Sequence, residues 1–510
     1  MSEKQTVNDS SPYADETGKD VTIGEIHNHG LSPDDDQRIL RRIDSHLLPV
    51  MAISYLFQFL DKSALSFTAI LGLRTDLHLT GSDYSWASSV YYFGYLVASY
   101  AAGVMMIRFP VGKTIAASII VWGSIMMLTA VVFNPAGLLA NRFFLGVAEA
   151  AIAPGLSVVV AMWYKRSEQP LRHGAWYLGN TCAGFFGGLT GYGIGHVKSI
   201  APWKAVYLIF GAITIIWSLA VFFLLPDTPM KAWFLSEQDR RKAITRVQEN
   251  MTGIKNDKFK WHQCVEALLD IKTWSLVIVQ LCSQIANGGV QGFGSIVVQG
   301  FGFSTLNTLL VQMVTYAFQL VFVVLGTGGS TMFRNTRTYW MAGNLAVSLV
   351  GAVMVRQISS ANIWARFMGY CLSAVYAANF PLILSMSSGN FGGFTKKTTV
   401  NALVSRFSTI VTSQQMLIGQ IFIGYCAGNI IGPQLFFEDE TPSYPSGFLA
   451  MMICFGVAFV TCFCLRLYLI WENRRRDRAT SEPEDDAQDV LDAELLDKTD
   501  KELAQFRYVY

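Results

Sequence analysis

Leu138-Leu-Ala-Asn-Arg-Phe-Phe-Leu-Gly-Val-Ala-Glu-Ala-Ala-Ile-Ala-Pro-Gly-Leu-Ser-Val-Val-Val-Ala-Met-Trp163 is a long apolar run that carries two opposite charges. About twenty residues of helix cross a ~30 Å hydrocarbon core, so the run is long enough to span a bilayer. Arg142 and Glu149 are seven positions apart. That spacing returns them to nearly the same helix face, about 10 Å apart along the axis. A charge inside a spanning helix is costly and normally faces a protein interior or a water-filled path. The rest of the chain must supply that interior.

Of 510 residues, 52% are hydrophobic and 15% are charged, against about a quarter charged in soluble chains. Apolar segments of spanning length recur near 49–70, 87–107, 114–133, 138–162, 174–195, 205–225, 273–294, 308–328, 338–355, 363–386, 400–425 and 448–470. The fold class is therefore an all-α polytopic membrane protein with twelve transmembrane helices. The long polar connection 226–272 falls after the sixth span, which suggests an internal duplication into two six-helix bundles. The expected parts are an N-terminal tail (1–45), a first bundle (46–225), a central loop (226–272), a second bundle (273–470) and a C-terminal tail (471–510). Ser, Asp, Glu and Gly dominate residues 1–37, which predicts disorder, with a short amphipathic helix over Asp35–Asp44 leading to Pro49. The C-terminal tail opens on the basic collar Arg474-Arg-Arg-Asp-Arg478, read as a topology anchor, and continues as an acidic, mostly disordered segment.

Lys and Arg divide the loops into two sets. One set holds Arg108, Lys113, Lys165, Arg166, Arg172, Arg334, Arg337, Lys396, Lys397, Arg406 and the basic run Arg240–Lys260. The other is poorer and includes the acidic Glu438-Asp-Glu440. An even number of spans puts both tails with the basic set, so both termini are expected in the cytoplasm. The sequon Asn250-Met-Thr252 would then face the cytoplasm and carry no glycan. No cleavable signal peptide is expected ahead of the first span, which is then expected to direct insertion itself. The eight Cys show no paired spacing for disulfides or zinc and read as buried small hydrophobes. All seven His fall in tails, loops or span ends, which argues against a His proton relay. No hydrolase, metalloprotease or nucleotide-binding pattern appears, so no enzyme, cofactor or metal is expected, and no nucleic-acid partner.

Four ionisable residues lie well inside expected spans: Asp61 and Lys62 in the first, Arg142 and Glu149 in the fourth. They can serve as fixed ion pairs that stabilise packing. They can also form a transport network, in which a desolvated cation attracts an anionic substrate and a buried carboxylate takes up and releases a proton. Two such pairs in central helices favour the second reading. In the seventh span, Gln284, Asn287 and Gln291 share a helix face, and Asn287-Gly-Gly289 either opens the helix at a central site or packs closely on a neighbour. Tyr316, Tyr376 and Asn379 are further candidates for the pocket wall. The fifth span, with seven Gly between Gly179 and Gly195, reads as a close-packing surface.

Several local patterns together resemble fungal major facilitator transporters of the allantoate permease type, in the anion:cation symporter group. They are Leu60-Asp-Lys-Ser-Ala-Leu65, Tyr84-Ser-Trp86, Tyr92-Phe-Gly-Tyr95, Phe109-Pro-Val-Gly-Lys113, Arg142 to Glu149 with Pro154-Gly155, Glu168-Gln-Pro-Leu-Arg172 and Leu225-Pro-Asp-Thr-Pro229. Asn390-Phe-Gly-Gly-Phe-Thr-Lys-Lys397, Gly428-Asn-Ile-Ile-Gly-Pro433 and Phe506-Arg-Tyr-Val509 complete the set. The resemblance covers the chain from about Asp36 to its C-terminus.

The resemblance implies two six-helix bundles working by alternating access, and uptake of a small organic anion, a carboxylate metabolite or vitamin such as allantoate, nicotinate or pantothenate, with protons. By matching position, Asp61 and Glu149 become proton-coupling residues, and Lys62 and Arg142 substrate-binding residues. The expected partners are that anion, protons and the lipid bilayer, with the chain acting as a monomer in a plasma membrane. Export on the same fold and nutrient sensing without transport remain alternatives. Three departures stand out. Lys62 replaces a common Arg and cannot fork onto a carboxylate. Ile107 stands where the general pattern has Asp, and Ala101 and Ala286 stand where Pro is frequent.

Overall fold

The computed structural model describes residues 33–165, 168–248, 261–392, 420–479, 499–503 and 506–510. Every regular element among them is helical. The first group comprises α1 (Pro33–Thr68), α2 (Asp83–Arg108), α3 (Val111–Leu128), α4 (Pro135–Glu149), α5 (Ile152–Trp163), α6 (Gln169–Ile194) and α7 (Pro202–Leu224). Two short helices follow, α8 (Glu237–Gln248) and α9 (Trp261–Leu268). The second group comprises α10 (Ile271–Gly300), α11 (Thr305–Met332), α12 (Arg337–Gln357), α13 (Ile363–Ser373), α14 (Asn379–Gly389), α15 (Gln420–Gln434) and α16 (Pro445–Ala479). With α4–α5 and α13–α14 each counted as one interrupted span, twelve spanning elements fall into two sets of six.

Eight of these spans are long and apolar enough by themselves to cross a membrane: α1, α3, α4–α5, α7, α11, α12, α13–α14 and α16. The remaining elements α2, α6, α10 and α15 sit where the two halves meet, α2 on α15, α6 on α11 and α1 on α10. The expected eleventh span, 400–425, lies mostly outside the described residues, and its described end belongs to α15, which continues to Gln434. The sequon at Asn250 also lies outside them.

Local chemistry sets the helix ends. Asn134 caps α4 through Gly137 N at 2.7 Å, with Pro135 in the first turn. The fourth span then breaks at Ala150–Ala151. Pro154 has no N–H to donate to the Ala150 carbonyl four residues back, which explains an interruption directly after Glu149. The expected short helix near Asp44 instead belongs to α1, which runs through Pro49 without a break. The glycine pair of α10 does not open the helix: a Cβ on Gly288 would lie 2.9 Å from the Asn429 carbonyl oxygen, and one on Gly289 2.2 Å from the Phe436 ring. Close packing on the α15 segment is the reason for those glycines. In α6, a Cβ on Gly188 would lie 2.5 Å from the Leu309 carbonyl oxygen of α11, in line with the packing surface expected there.

The start of α1, α8 and the α5–α6 turn gather on what is here termed the tail side. Arg38 and Arg42 pair with Asp239 at 2.9 and 3.1 Å, Arg172 with Asp44 at 2.7 Å, and Arg246 with Asp36 at 2.6 Å and with Glu168. Lys242, hydrogen-bonded to Asp35, holds that carboxyl below its ordinary value. On the opposite, far side the two halves touch. Arg74 pairs with Glu438 at 3.4 Å, Tyr84 donates to the Gly292 carbonyl at 2.6 Å, and Ser66 meets Ser295 at 3.0 Å.

Candidate functional site

Lys62 and Glu149 come together across the α1–α4 contact. Lys62 Nζ lies 3.9 Å from Glu149 Oε2, and the same oxygen accepts from Tyr91 OH at 2.6 Å. Glu149 is 0% exposed, whereas the Lys62 side chain keeps 12% of its surface open. Tyr91 and Tyr95 of α2 present their rings 5.8 and 5.5 Å from Lys62 Nζ, a cation–π setting. Two glycine contacts bring α2 this close to α4. A Cβ on Gly146 would lie 2.0 Å from the Tyr91 carbonyl oxygen, and one on Gly94 2.1 Å from that of Phe143.

Asp61 precedes Lys62 on the same turn of α1. It is buried and accepts from the indole Nε1 of Trp122 on α3. Its Oδ1 and Glu149 Oε1 are both buried without a hydrogen-bond partner among the described residues, and each carboxyl acts directly on the other. Arg142 lies on the far-side flank of this group, where Nη2 donates to Tyr207 OH at 3.2 Å and Tyr207 in turn meets Thr68 Oγ1 at 3.2 Å. The four charges thus form one buried group, but only Lys62 reaches the space between the halves.

That space is a chain of three cavities. The largest, about 130 Å³, extends toward the tail side between Tyr95, Met106, Ser157, Trp176, Phe380 and Phe422. A second, about 40 Å³, is central and shares Lys62 and Gln280 with the first. A third, about 20 Å³, continues toward the far side and shares Gln291 and Tyr376 with the second. The Arg74–Glu438, Tyr84–Gly292 and Ser66–Ser295 contacts lie at that end.

The second half supplies a wall of amides. Asn429 donates to Gln284 Oε1 at 2.9 Å and to the Tyr425 carbonyl at 2.8 Å, and accepts from Asn287 Nδ2 at 2.8 Å. Tyr376 OH donates to Asn287 Oδ1 at 3.3 Å, and Ser63 Oγ to Gln291 Oε1 at 3.4 Å. Both amide atoms of Gln280 and the Ser283 hydroxyl are buried with no partner among the described residues, and both side chains line the central cavity. Polar atoms so placed are costly unless a water or a ligand satisfies them.

Of the residues singled out in the sequence, Lys62, Gln284, Asn287, Gln291 and Tyr376 line the central cavity, and Tyr316 lines the far-side one. Asp61, Arg142 and Glu149 stand behind the wall. Asn379 does not line these cavities: it accepts from Asn344 at 2.9 Å and donates to the Met341 carbonyl at 3.2 Å, tying α14 to α12. Asn429, Tyr91 and Trp122 were not anticipated as site residues, and Gln280, a polar residue of the same span, was not placed on the Gln284–Asn287–Gln291 face. The spacing Gln280, Gln284, Asn287, Gln291 continues one helix face, and would have found Gln280.

Comparison with known proteins fits this architecture. Residues 51–433 match the family model described as Major Facilitator Superfamily. An uncharacterized transporter of Schizosaccharomyces pombe is 35% identical over 93% of this chain and 86% of its own length. The allantoate permease of Saccharomyces cerevisiae is 31% identical over 94% of this chain and 87% of its own. The thiamine pathway transporter of the same yeast is 29% identical over 99% and 92%. Among solved structures, a bacterial homolog of the human lysosomal transporter Spinster, inward-facing and unoccupied, aligns with a TM-score of 0.57 at 14% identity over 86% of this chain and 97% of that one. Twelve spans in two halves around a central polar cavity, the family match and the fungal relatives agree: this chain is a membrane transporter that belongs to the major facilitator superfamily.

Proposed function

We propose that the chain carries a small organic anion together with protons, with Lys62 as the anion's counter-charge and Glu149, backed by Asp61, as the proton site. The observation that carries this is the Lys62–Glu149 pair: the cation reaches the cavity while its carboxylate partner is sealed behind it. An ionised Glu149 competes with an incoming anion for Lys62. A protonated Glu149 leaves Lys62 free to bind it. Proton and anion therefore favour each other's binding, which is the linkage a symporter needs. The facing carboxyls of Asp61 and Glu149 offer a place where one proton is shared. Arg142 acts from behind, offsetting Asp61 and fixing Tyr207, rather than touching the substrate in this arrangement.

Gln280, Ser283 and the Gln284–Asn429–Asn287 chain supply donors and acceptors for the rest of a polar carboxylate. The sequence resemblance and the 31%-identical allantoate permease support an anion of that class. The Lys and Arg bias of the tail-side loops supports a cytoplasmic tail side, so the largest cavity would extend toward the cytoplasm. An uptake screen of carboxylates, with and without an imposed pH gradient, tests the reading. Acidification outside should drive accumulation of at least one anion. Transport of only neutral or cationic compounds would remove it.

A further inference from the structure

Behind the basic collar, the end of the chain is folded onto the second half. Asp500, which is 0% exposed, pairs with Lys272 of α10 at 2.5 Å and accepts from Gly392 N beyond α14 at 3.0 Å. Tyr508 places its ring 3.8 Å from Lys272 Nζ and donates its hydroxyl to Asp500 at 2.7 Å. Two asparagines grip the backbone of consecutive residues. Asn473 of α16 donates to the Tyr508 carbonyl and accepts from Tyr508 N, both at 2.9 Å. Asn390, just past α14, does the same for Val509 at 2.8 and 2.7 Å. Arg476 donates to the carbonyls of Asp500 and Leu503 at 2.8 and 3.0 Å and to Tyr508 OH at 2.8 Å.

This is a built peptide-binding site whose occupant is the chain's own C-terminus. Two of its cations also have a carboxylate other than Asp500 beside them: Lys272 pairs with Asp270 at 3.4 Å, and Arg476 with Glu472 at 3.1 Å, an oxygen that Arg475 shares. Release of the strap would therefore leave neither Lys272 nor Arg476 without a carboxylate neighbour. The tie also joins elements that have different tasks. α10 and α16 pack on each other in the body of the half, whereas α14 carries Phe380 and Leu384 on the wall of the tail-side cavity. Ser157 and Val158 of α5 line the same cavity, so closing it would bring α14 nearer to α5.

We propose that residues 499–503 and 506–510 form a reversible clasp that ties the tail-side end of α14 to α10 and α16 and so favours the arrangement in which the tail-side cavity is present. The idea rests on the transport reading only for its purpose, because its geometry and its readout need no substrate. The test uses Ser157→Cys, a reporter on α5 in the opposite half that lines the tail-side cavity. Its labelling rate by a polar maleimide, above the background of the parent chain, is measured in three forms: full length, truncated after residue 498, and Asp500→Asn. The truncated chain should label about fivefold more slowly, the scale of a modest coupling free energy, with Asp500→Asn between the two. A synthetic peptide of residues 499–510 should restore the rate of the truncated chain. Equal labelling in all three forms overturns the proposal. So does faster labelling of the truncated chain, the sign of a half that has merely loosened, and so does a truncated chain that the peptide leaves unchanged.

Discussion

Glu149→Gln separates the two jobs assigned to the buried charges. The substitution keeps the shape and removes the charge 3.9 Å from Lys62 Nζ. At an effective dielectric near 20, that pair is worth about 4 kcal/mol of Coulomb energy before screening. Lys62 is partly open to the cavity, so a bound anion would recover only a fraction. Gaining 1–2 kcal/mol corresponds to roughly 5–30-fold tighter anion binding. The variant is thus expected to bind the transported anion more tightly and to lose the pH dependence of that binding. In proteoliposomes it should still exchange labelled for unlabelled anion while losing accumulation driven by a pH gradient. Equilibrium binding at several pH values and the exchange assay read both effects. Weaker binding with accumulation intact would refute the competition between anion and carboxylate for Lys62.

Three other perturbations follow from the geometry. Trp122→Phe removes the donor to buried Asp61, and a lost hydrogen bond to a charged group costs about 1.5–3 kcal/mol, so the Tm in detergent should fall and the pH profile of uptake should shift. Asn429→Ala breaks the amide chain at its centre and leaves Gln284 and Asn287 unpaired; KM should rise more than kcat falls, and an unchanged KM would remove that wall from the site. Gly146→Ala drives a methyl into the Tyr91 carbonyl, costs about 1–3 kcal/mol by overpacking, and should weaken transport as Tyr91 leaves Glu149, readable as a lower Tm with reduced uptake.

Much of this was legible in the sequence because the bilayer makes it so. Charges within apolar runs are conspicuous, and Asp61, Lys62, Arg142 and Glu149 do form one buried group. Their pairing was not legible. Seven-residue spacing places Arg142 and Glu149 on one face, but the axial offset gives them different neighbours: Tyr207 of α7 for the arginine, Tyr91 and Lys62 for the glutamate. Which charge meets the cavity depends on helix crossings set by contacts such as Gly146 on Tyr91, and these are tertiary. Asn287-Gly-Gly289 left two readings open, and only the position of α15 decides between them. The C-terminal strap was read as part of a mostly disordered acidic tail because the stretch before it, 482–497, is rich in Asp and Glu. Its order comes from Lys272, Asn390, Asn473 and Arg476, none nearer in sequence than the end of α16. Asn379 shows the converse: a polar residue in a central span that serves packing between α12 and α14.

The central claim is that a proton and an anion bind cooperatively through Lys62 and Glu149. Proton uptake on addition of the transported anion to purified protein, in weakly buffered detergent solution with a pH-sensitive dye, tests it most directly. The account predicts that the wild-type protein takes up protons as the anion binds, and that Glu149→Gln binds the anion without doing so. Anion binding to the wild-type protein with no proton movement across the physiological pH range would contradict it.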